Sequence, residues 1–153
     1  MVDLIELVNA FVSTLQRIPE VVEDLGGSPA SIIGYIDIAS VRNSMNNAVY
    51  SQKSGTVLVL WREMVMTEGE MAWYEHHVEL QLRARPGSSI LTLIKDIVDG
   101  VPDPGDGMCW LRCQLLPGLD PTQVARAYFE TDEEGIDHGV IETTTKEIAP
   151  PPE

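Results

Sequence analysis

The chain carries no catalytic signature. Its serines fall in helix caps, turns and loops, and none has the Gly-x-Ser-x-Gly setting of a nucleophile elbow. The glycine-containing loops lack both the Lys-Ser/Thr of a P-loop and the Gly-x-Gly-x-x-Gly of a dinucleotide site. Asp99, Asp103 and Asp106 crowd one loop but miss EF-hand spacing, which leaves weak divalent-ion binding as the most that loop offers. Long apolar runs are missing as well: nothing approaches the roughly 18 residues that span a bilayer. The start, Met1-Val2-Asp3-Leu4-Ile5-Glu6, has no basic flank of the kind that opens a signal peptide. The expectation is a protein made and used in the cytoplasm, or carried in a particle assembled there. It has no membrane partner and no cofactor, and an enzymatic role is disfavoured.

Positive charge is scarce. Ten Lys and Arg stand against twenty-four Asp and Glu, a formal charge of −14. The basic residues are scattered, so a sequence-reading DNA binder is disfavoured, because the chain repels phosphate at long range. An acidic surface serves solubility. It also suits a channel that DNA passes without sticking, or a basic partner. Cysteine is nearly absent, with only Cys109 and Cys113. If their segment is a strand, both share a buried face with Leu111 and Leu115 and lie about 13 Å apart, too far for a disulfide. Two free buried thiols fit a reducing compartment. Cys-x-x-x-Cys without a second ligand pair does not make a metal site.

What is present is an ordered succession of hydrophobic patterns. A chain of 153 residues is one domain by size and buries about 68–70% of its unfolded surface. Its 44% hydrophobic and 22% charged content is that of a globular protein. Asp3 and Glu6 form a capping-box pattern ahead of a stripe at Leu4, Val8, Phe11, Leu15, Ile18, Val22 and Leu25, widened by Ile5, Leu7, Val12 and Val21. Pro19 should end or kink this helix near Ile18, and Gly26-Gly27 closes it. Residues 32–38 read as a short strand, 40–52 as a polar, Asn-rich helical turn, and 57–66 as a buried strand. After a turn at residues 67–70, residues 71–85 alternate. Tyr74, His76, Val78, Leu80, Leu82 and Ala84 face one way; Trp73, Glu75, His77, Glu79, Gln81 and Arg83 face the other.

Ser88 or Ser89 caps a second helix with the stripe Ile90, Leu91, Ile94, Ile97, Val98 and Val101, stopped by Gly100 and Pro102. Residues 108–116 read as a strand, and 123–131 with 137–148 as a hairpin around Glu133-Glu134-Gly135. Residues 1–148 form one α+β domain, and residues 149–153 are a Pro-rich flexible tail. The order α-β-β-β-α-β-β-β gives a two-layer sandwich, two main helices packed on a mostly antiparallel sheet.

Glu75, His77 and Glu79 share one strand face, but same-face neighbours lie about 6.6 Å apart, which suits a surface network better than chelation. Two features suit protein contacts. Met64, Met66 and Met71 surround Glu68-Gly69-Glu70 at a strand turn, where Met adapts to an irregular surface; the same residues also read as strand ends at the core margin. Glu130, Asp132, Glu133, Glu134 and Asp137 crowd the C-terminal hairpin tip. That tip is either simply solvated or, in a ring, meets a neighbour's Arg or lines a passage.

Three local patterns carry a resemblance. One runs from Ala48-Val49-Tyr50 through Ser54-Gly55-Thr56-Val57-Leu58-Val59-Leu60-Trp61. The second is Trp73-Tyr74-Glu75-His76 leading into the strand that ends at Arg85. The third is Gly105-Asp106-Gly107, then Leu115-Leu116-Pro117, then the hairpin. In this order the chain, from about Leu4 to Ile148, resembles the tail terminator proteins of long-tailed bacteriophages, also called tail completion or minor tail proteins. The resemblance implies a subunit of a homohexameric ring at the head-proximal end of the tail tube. Such a ring stops tube polymerisation and joins the tail to the neck or head-completion protein, while DNA passes through without sequence-specific binding. It implies a place in the virion, after assembly in the host cytoplasm. The Met64–Met71 turn and the Glu130–Asp137 hairpin are the expected ring or tube contacts. The Pro-rich tail departs from a compact terminator and reads as an arm towards a neighbouring subunit. Another head–tail neck component, or a non-viral α+β ligand-binding domain, remains open on these residues.

Overall fold

The computed structural model describes residues 1–37, 39, 54–67 and 73–148. The Asn-rich turn expected over residues 40–52, the strand turn with Glu68, Glu70 and Met71, and the tail 149–153 lie outside the described residues.

Asp3 opens α1 (Leu4–Gln16), its carboxylate accepting the backbone N–H groups of Ile5 and Glu6 at 2.9 and 3.1 Å. These donors have no partner within the helix, so the cap removes a desolvation cost. Pro19 does more than kink the segment: it becomes the first residue of α2 (Pro19–Asp24), where a missing N–H is harmless. Gly26 and Gly27, with φ of 113° and 95°, end α2, and Gly27 N–H donates to Val22 O at 2.9 Å. Leu7, Val8, Phe11, Leu15, Ile18, Val21 and Leu25 are buried. Ile5, counted in the stripe, is exposed. It lies at the rim of an apolar hollow with Tyr35 and Ile36.

The strands are β1 (Ile32–Gly34), β2 (Thr56–Thr67), β3 (Trp73–Arg83), β4 (Gln123–Thr131) and β5 (Asp137–Ile148), in the order β1-β2-β3-β5-β4. β1 runs parallel to β2, and every other pair is antiparallel. The architecture is therefore the expected α+β sandwich. The alternation in β3 is as expected, with His76, Val78, Leu80 and Leu82 buried. These side chains join Val57, Val59 and Ile141 beneath the helices. β1 approaches α1 so closely that a Cβ on Gly34 would lie 2.7 Å from Val8 Cγ1, which only glycine avoids.

The second main helix, α3 (Ile90–Val98), is capped by Ser89, whose Oγ accepts Leu91 N–H at 3.2 Å. Its buried face is Ile90, Leu93 and Ile97. Leu91, placed in the stripe from sequence, is exposed, because the spacing i, i+3, i+7 of the other three turns it away.

The strand expected over residues 108–116 is not formed, so among the described residues the sheet has five strands, one fewer than the pattern suggested. The chain there makes a 3-10 turn, Trp110–Arg112. Trp110 is buried against Phe11 edge-to-face at 5.8 Å, and its Nε1–H donates to Ile97 O at 2.6 Å. Its backbone N–H donates to Gly100 O at 3.0 Å, so the segment closes the end of α3 rather than joining a ladder. The thiols are half-buried rather than buried, and Cys113 Sγ–H points to Cys109 O at 3.6 Å. The 13 Å separation of an extended strand does not apply to this turn.

Two β-bulges position the rest. β2 gains Arg62 between Trp61, which pairs with Val78, and Glu63, which pairs with His77. β4 gains Ala125 between Val124, which pairs with Thr143, and Arg126, which pairs with Glu142. Val78 pairs with Thr143, so both bulges lie at one level, flanking the central β3–β5 pair. Bulges bend the strand and raise its twist.

Candidate functional site

Among the described residues the helices cover one face of the sheet and nothing covers the other, and the residues of interest divide between the covered face, the sheet ends and this uncovered face. On the covered face His76 is fully buried. Its Nδ1 accepts Trp61 Nε1–H at 3.2 Å, so Nε2 carries the ring proton and donates to Glu147 Oε2 at 2.8 Å. Glu147 Oε1 accepts Val2 N–H at 2.5 Å. Every polar atom of the imidazole is used internally, as a buried polar group requires. This cluster serves the core. Sequence alternation placed His76 on the core side, but its partner lies 71 residues away and becomes visible only through the β3–β5 register.

Of the Met group, Met64 is half-buried and Met66 is 57% exposed, with Val65 and Ile148 exposed on the other face of the same sheet end. Met66 pairs with Tyr74, and Tyr74 with Glu147, at one end of the sheet. The acidic hairpin tip is at the other end: Glu130 pairs with His138, and His138 with Arg83. Nine residues of β5 separate the two levels, about 30 Å. The structure therefore does not bring the two groups together.

Within the hairpin the acids are not equivalent. Asp132 Oδ1 accepts Glu134 and Ile136 N–H, both at 2.9 Å, and Oδ2 meets His138 Nε2 at 2.8 Å. The hydrogen bond from Ile136, then that from His138, hold its carboxyl below the usual carboxylate range. Asp137 Oδ1 accepts Thr131 Oγ–H at 2.6 Å. Asp132 and Asp137, counted as contact residues from sequence, are thus turn-forming; Glu130, Glu133 and Glu134 are exposed and project outward. Gly135, at φ 80°, completes the turn.

No protein-family model and no curated protein matches the chain.

The uncovered face holds residues that sequence reasoning passed over. Arg62, freed by its bulge, reaches across to Glu79 with Nε at 3.0 Å and Nη2 at 2.6 Å. From the opposite side Arg126 grips Glu142 with Nε at 3.0 Å and Nη2 at 3.1 Å, and lies 4.6 Å over the Tyr128 ring. Its hydrogen bonds to Glu142 raise the Arg126 pKa above its ordinary value. His77 meets Glu63 at 3.0 Å and Glu75 at 3.7 Å, while Glu75 also meets Lys146 at 3.9 Å. Glu79 turns away to Arg62, so Glu75, His77 and Glu79 do not converge. Among the described residues no group of three His, Cys, Asp or Glu is placed to hold a metal ion. Between the bulges lies a concavity of about 350 Å³ floored by His77, Glu79 and Thr144 and flanked by Arg62 and Ala125. The alternation in β3 marked this side for solvent or a partner. The continuous apolar run of β2 hid the bulge that aims Arg62.

Proposed function

We propose that the chain is a tail terminator subunit of a long-tailed bacteriophage: it assembles with copies of itself into a ring, probed most simply as a hexamer, at the head-proximal end of the tail tube. The observation that carries this reading is the separation of two unlike contact groups at opposite ends of one sheet. Among the described residues, one end exposes the apolar Met66, Val65 and Ile148, and it lies about 30 Å from an acidic end with Glu130, Glu133 and Glu134 exposed. A terminator needs such unlike ends, one matching the last ring of tube protein and one unable to template another. Exposed Met and aliphatic side chains suit a protein contact. A chain of charge −14 suits a passage that DNA traverses without adhesive phosphate contacts. No helix among the described residues is long and apolar enough to cross a membrane; in this reading the protein belongs to the neck of the virion.

A ligand-binding domain would offer a mostly apolar pocket with a few converging polar groups. The concavity on the uncovered face is instead lined by Glu79 and Glu142, carboxylates already paired with Arg62 and Arg126. The mechanism proposed is assembly without bond-making.

Electron microscopy of particles made with the gene deleted tests the reading. Filled heads beside unattached tails of irregular or excessive length are expected. Unattached tails of normal length would assign the chain to another neck component, and normally joined particles would overturn both.

A further inference from the structure

We infer that the uncovered face of the sheet is the surface on which a second copy of this chain packs. This rests on the self-assembly in the reading above and names the face that makes it possible. The difficulty for any such assembly is repulsion between copies that each carry −14. Within a contact only charges inside a Debye length, about 8 Å at physiological salt, act strongly. The uncovered face is where local charge nearly cancels. Arg62, Arg83, Arg126 and Lys146 stand there with Glu63, Glu75, Glu79, Glu130 and Glu142. The described helices and loops instead carry the acidic excess, with only Arg17, Arg85, Lys95 and Arg112 against many carboxylates.

The face also has the shape and chemistry of a contact. Leu58, Leu60, Trp73 and Val140 lie on it half-buried, with Val65 and Ile148 exposed at its end. Arg62 and Arg126 each hold a carboxylate of their own sheet through Nε and Nη2, so the face presents paired rather than bare charges. The four long strands, each about 4.8 Å wide, and eleven residues of β3 at about 3.3 Å each give roughly 700 Å². A stable interface takes about 800 Å² from each partner. A polyanion finds no net positive charge here, so a nucleic acid is the poorer occupant.

Sedimentation velocity of the full chain at micromolar concentrations tests this, with Thr144→Arg as the probe. Thr144 floors the concavity; an arginine there occupies it and projects from the face without entering the core. Gln81→Arg, on the same face beside Val140, repeats the test in case Thr144→Arg fails to fold. Thr92→Arg, exposed on the far side of α3, carries the same charge change as a control. The wild type should self-associate, more tightly as salt rises from about 0.01 to 0.1 M and screens the overall repulsion. Thr144→Arg and Gln81→Arg should weaken association tenfold or more with unchanged circular dichroism, and Thr92→Arg should not. Association of both face variants at wild-type strength overturns the inference and leaves the ring reading standing, since copies would then meet elsewhere. A wild type that stays monomeric overturns it too, and particle morphology then decides the terminator reading on its own. Duplex DNA or an unrelated protein bound by the wild type and lost in Thr144→Arg, without self-association, gives the face to that partner instead.

Discussion

Asp24 should make this protein less stable as pH rises. The residue is the last of α2, where its carboxylate faces the negative end of the helix dipole. Its Oδ2 is buried with no hydrogen-bond partner. Burial, then a hydrogen bond to the Asp96 carboxyl of α3 that requires a proton on Asp24, push its pKa up to about 7; repulsion from Asp96 and Glu23 adds to this and Arg85 opposes it. The unfolded chain loses this proton near 3.8, the folded chain near 7. Between those values the folded state binds more protons than the unfolded, so stability is full below pH 3.8 and is lost as pH rises towards and through 7. Three units at about 1.4 kcal/mol each set an upper bound of about 4 kcal/mol. Because the side chain is only half-buried and Arg85 is near, solvent and screening reduce this to about 1–3 kcal/mol. Asp24→Asn keeps the shape, supplies an N–H donor to Asp96 and removes the titration. Urea unfolding of wild type and variant at pH 5 and pH 9 isolates the effect, because other titrating groups cancel in the difference. The variant should match the wild type at pH 5 to within about 0.5 kcal/mol and exceed it at pH 9 by about 1–3 kcal/mol, roughly 2–4 °C in Tm per kcal/mol. An equal difference at both pH values, or a less stable variant at pH 9, would refute the reasoning.

Other substitutions probe single contacts. His76→Ala strips a buried carboxylate of its main donor and should cost about 3–5 kcal/mol, read by chemical unfolding. Trp110→Phe keeps the edge-to-face packing on Phe11 but leaves Ile97 O without its Nε1–H; a loss of about 1–3 kcal/mol in the same assay is expected. Gly100→Ala would put a Cβ 2.5 Å from Ile18 Cδ1 and 2.9 Å from Asp96 O, so overpacking should cost about 1–3 kcal/mol, whereas a stability within about 0.5 kcal/mol of wild type would show that the start of α2 and the end of α3 separate easily. In the hairpin, Asp132 has a lowered pKa, so its contribution is present above its ordinary value of 3.8 and is lost as pH falls through the lowered one. Amide exchange at Glu134 and Ile136 should therefore quicken in strong acid, and should quicken at neutral pH in Asp132→Ala.

What was legible in the sequence follows period and punctuation. Period 2 in β3 assigned both faces because a one-residue slip would bury Glu75 and Glu79 and expose Leu80. The hairpin bounds were legible because Asp-Glu-Glu-Gly separates two alternating runs. Period alone was weaker where apolar residues were crowded. Leu91 and Leu93 both fit a helical stripe, and only contact with the sheet chose Leu93. Over residues 108–116 the apolar content was real, but its burial came from Trp110 inserting between α1 and α3, which needs no ladder. Local pattern could not distinguish a residue that fills a core from one that pairs in a sheet.

The contact surfaces were legible only in part, for a related reason. A one-dimensional pattern reports which residues share a strand face, whereas a surface is made by residues from different strands at one level. Register tied the Glu75–His77–Glu79 face to its neighbours by bringing Arg62 to Glu79 and Glu63 to His77, while Glu75 stays 3.7 Å from His77. It brought Arg126 and Glu142, sixteen residues apart, into the same row. The two bulges decide this, since a ladder that ran on through Arg62 or Ala125 without a bulge would send Met64 and Met66, or Val124, to the opposite face. Deleting Ala125 leaves Val124 opposite Thr143 and Arg126 opposite Glu142 in a regular ladder, so it should keep the pairs of the row and remove only the bend and twist that the bulge adds. Comparison of Ala125→Ser with the deletion tests this: weaker self-association in the deletion alone would mean that the bend shapes the uncovered face, and unchanged unfolding and self-association in both would mean that it does not.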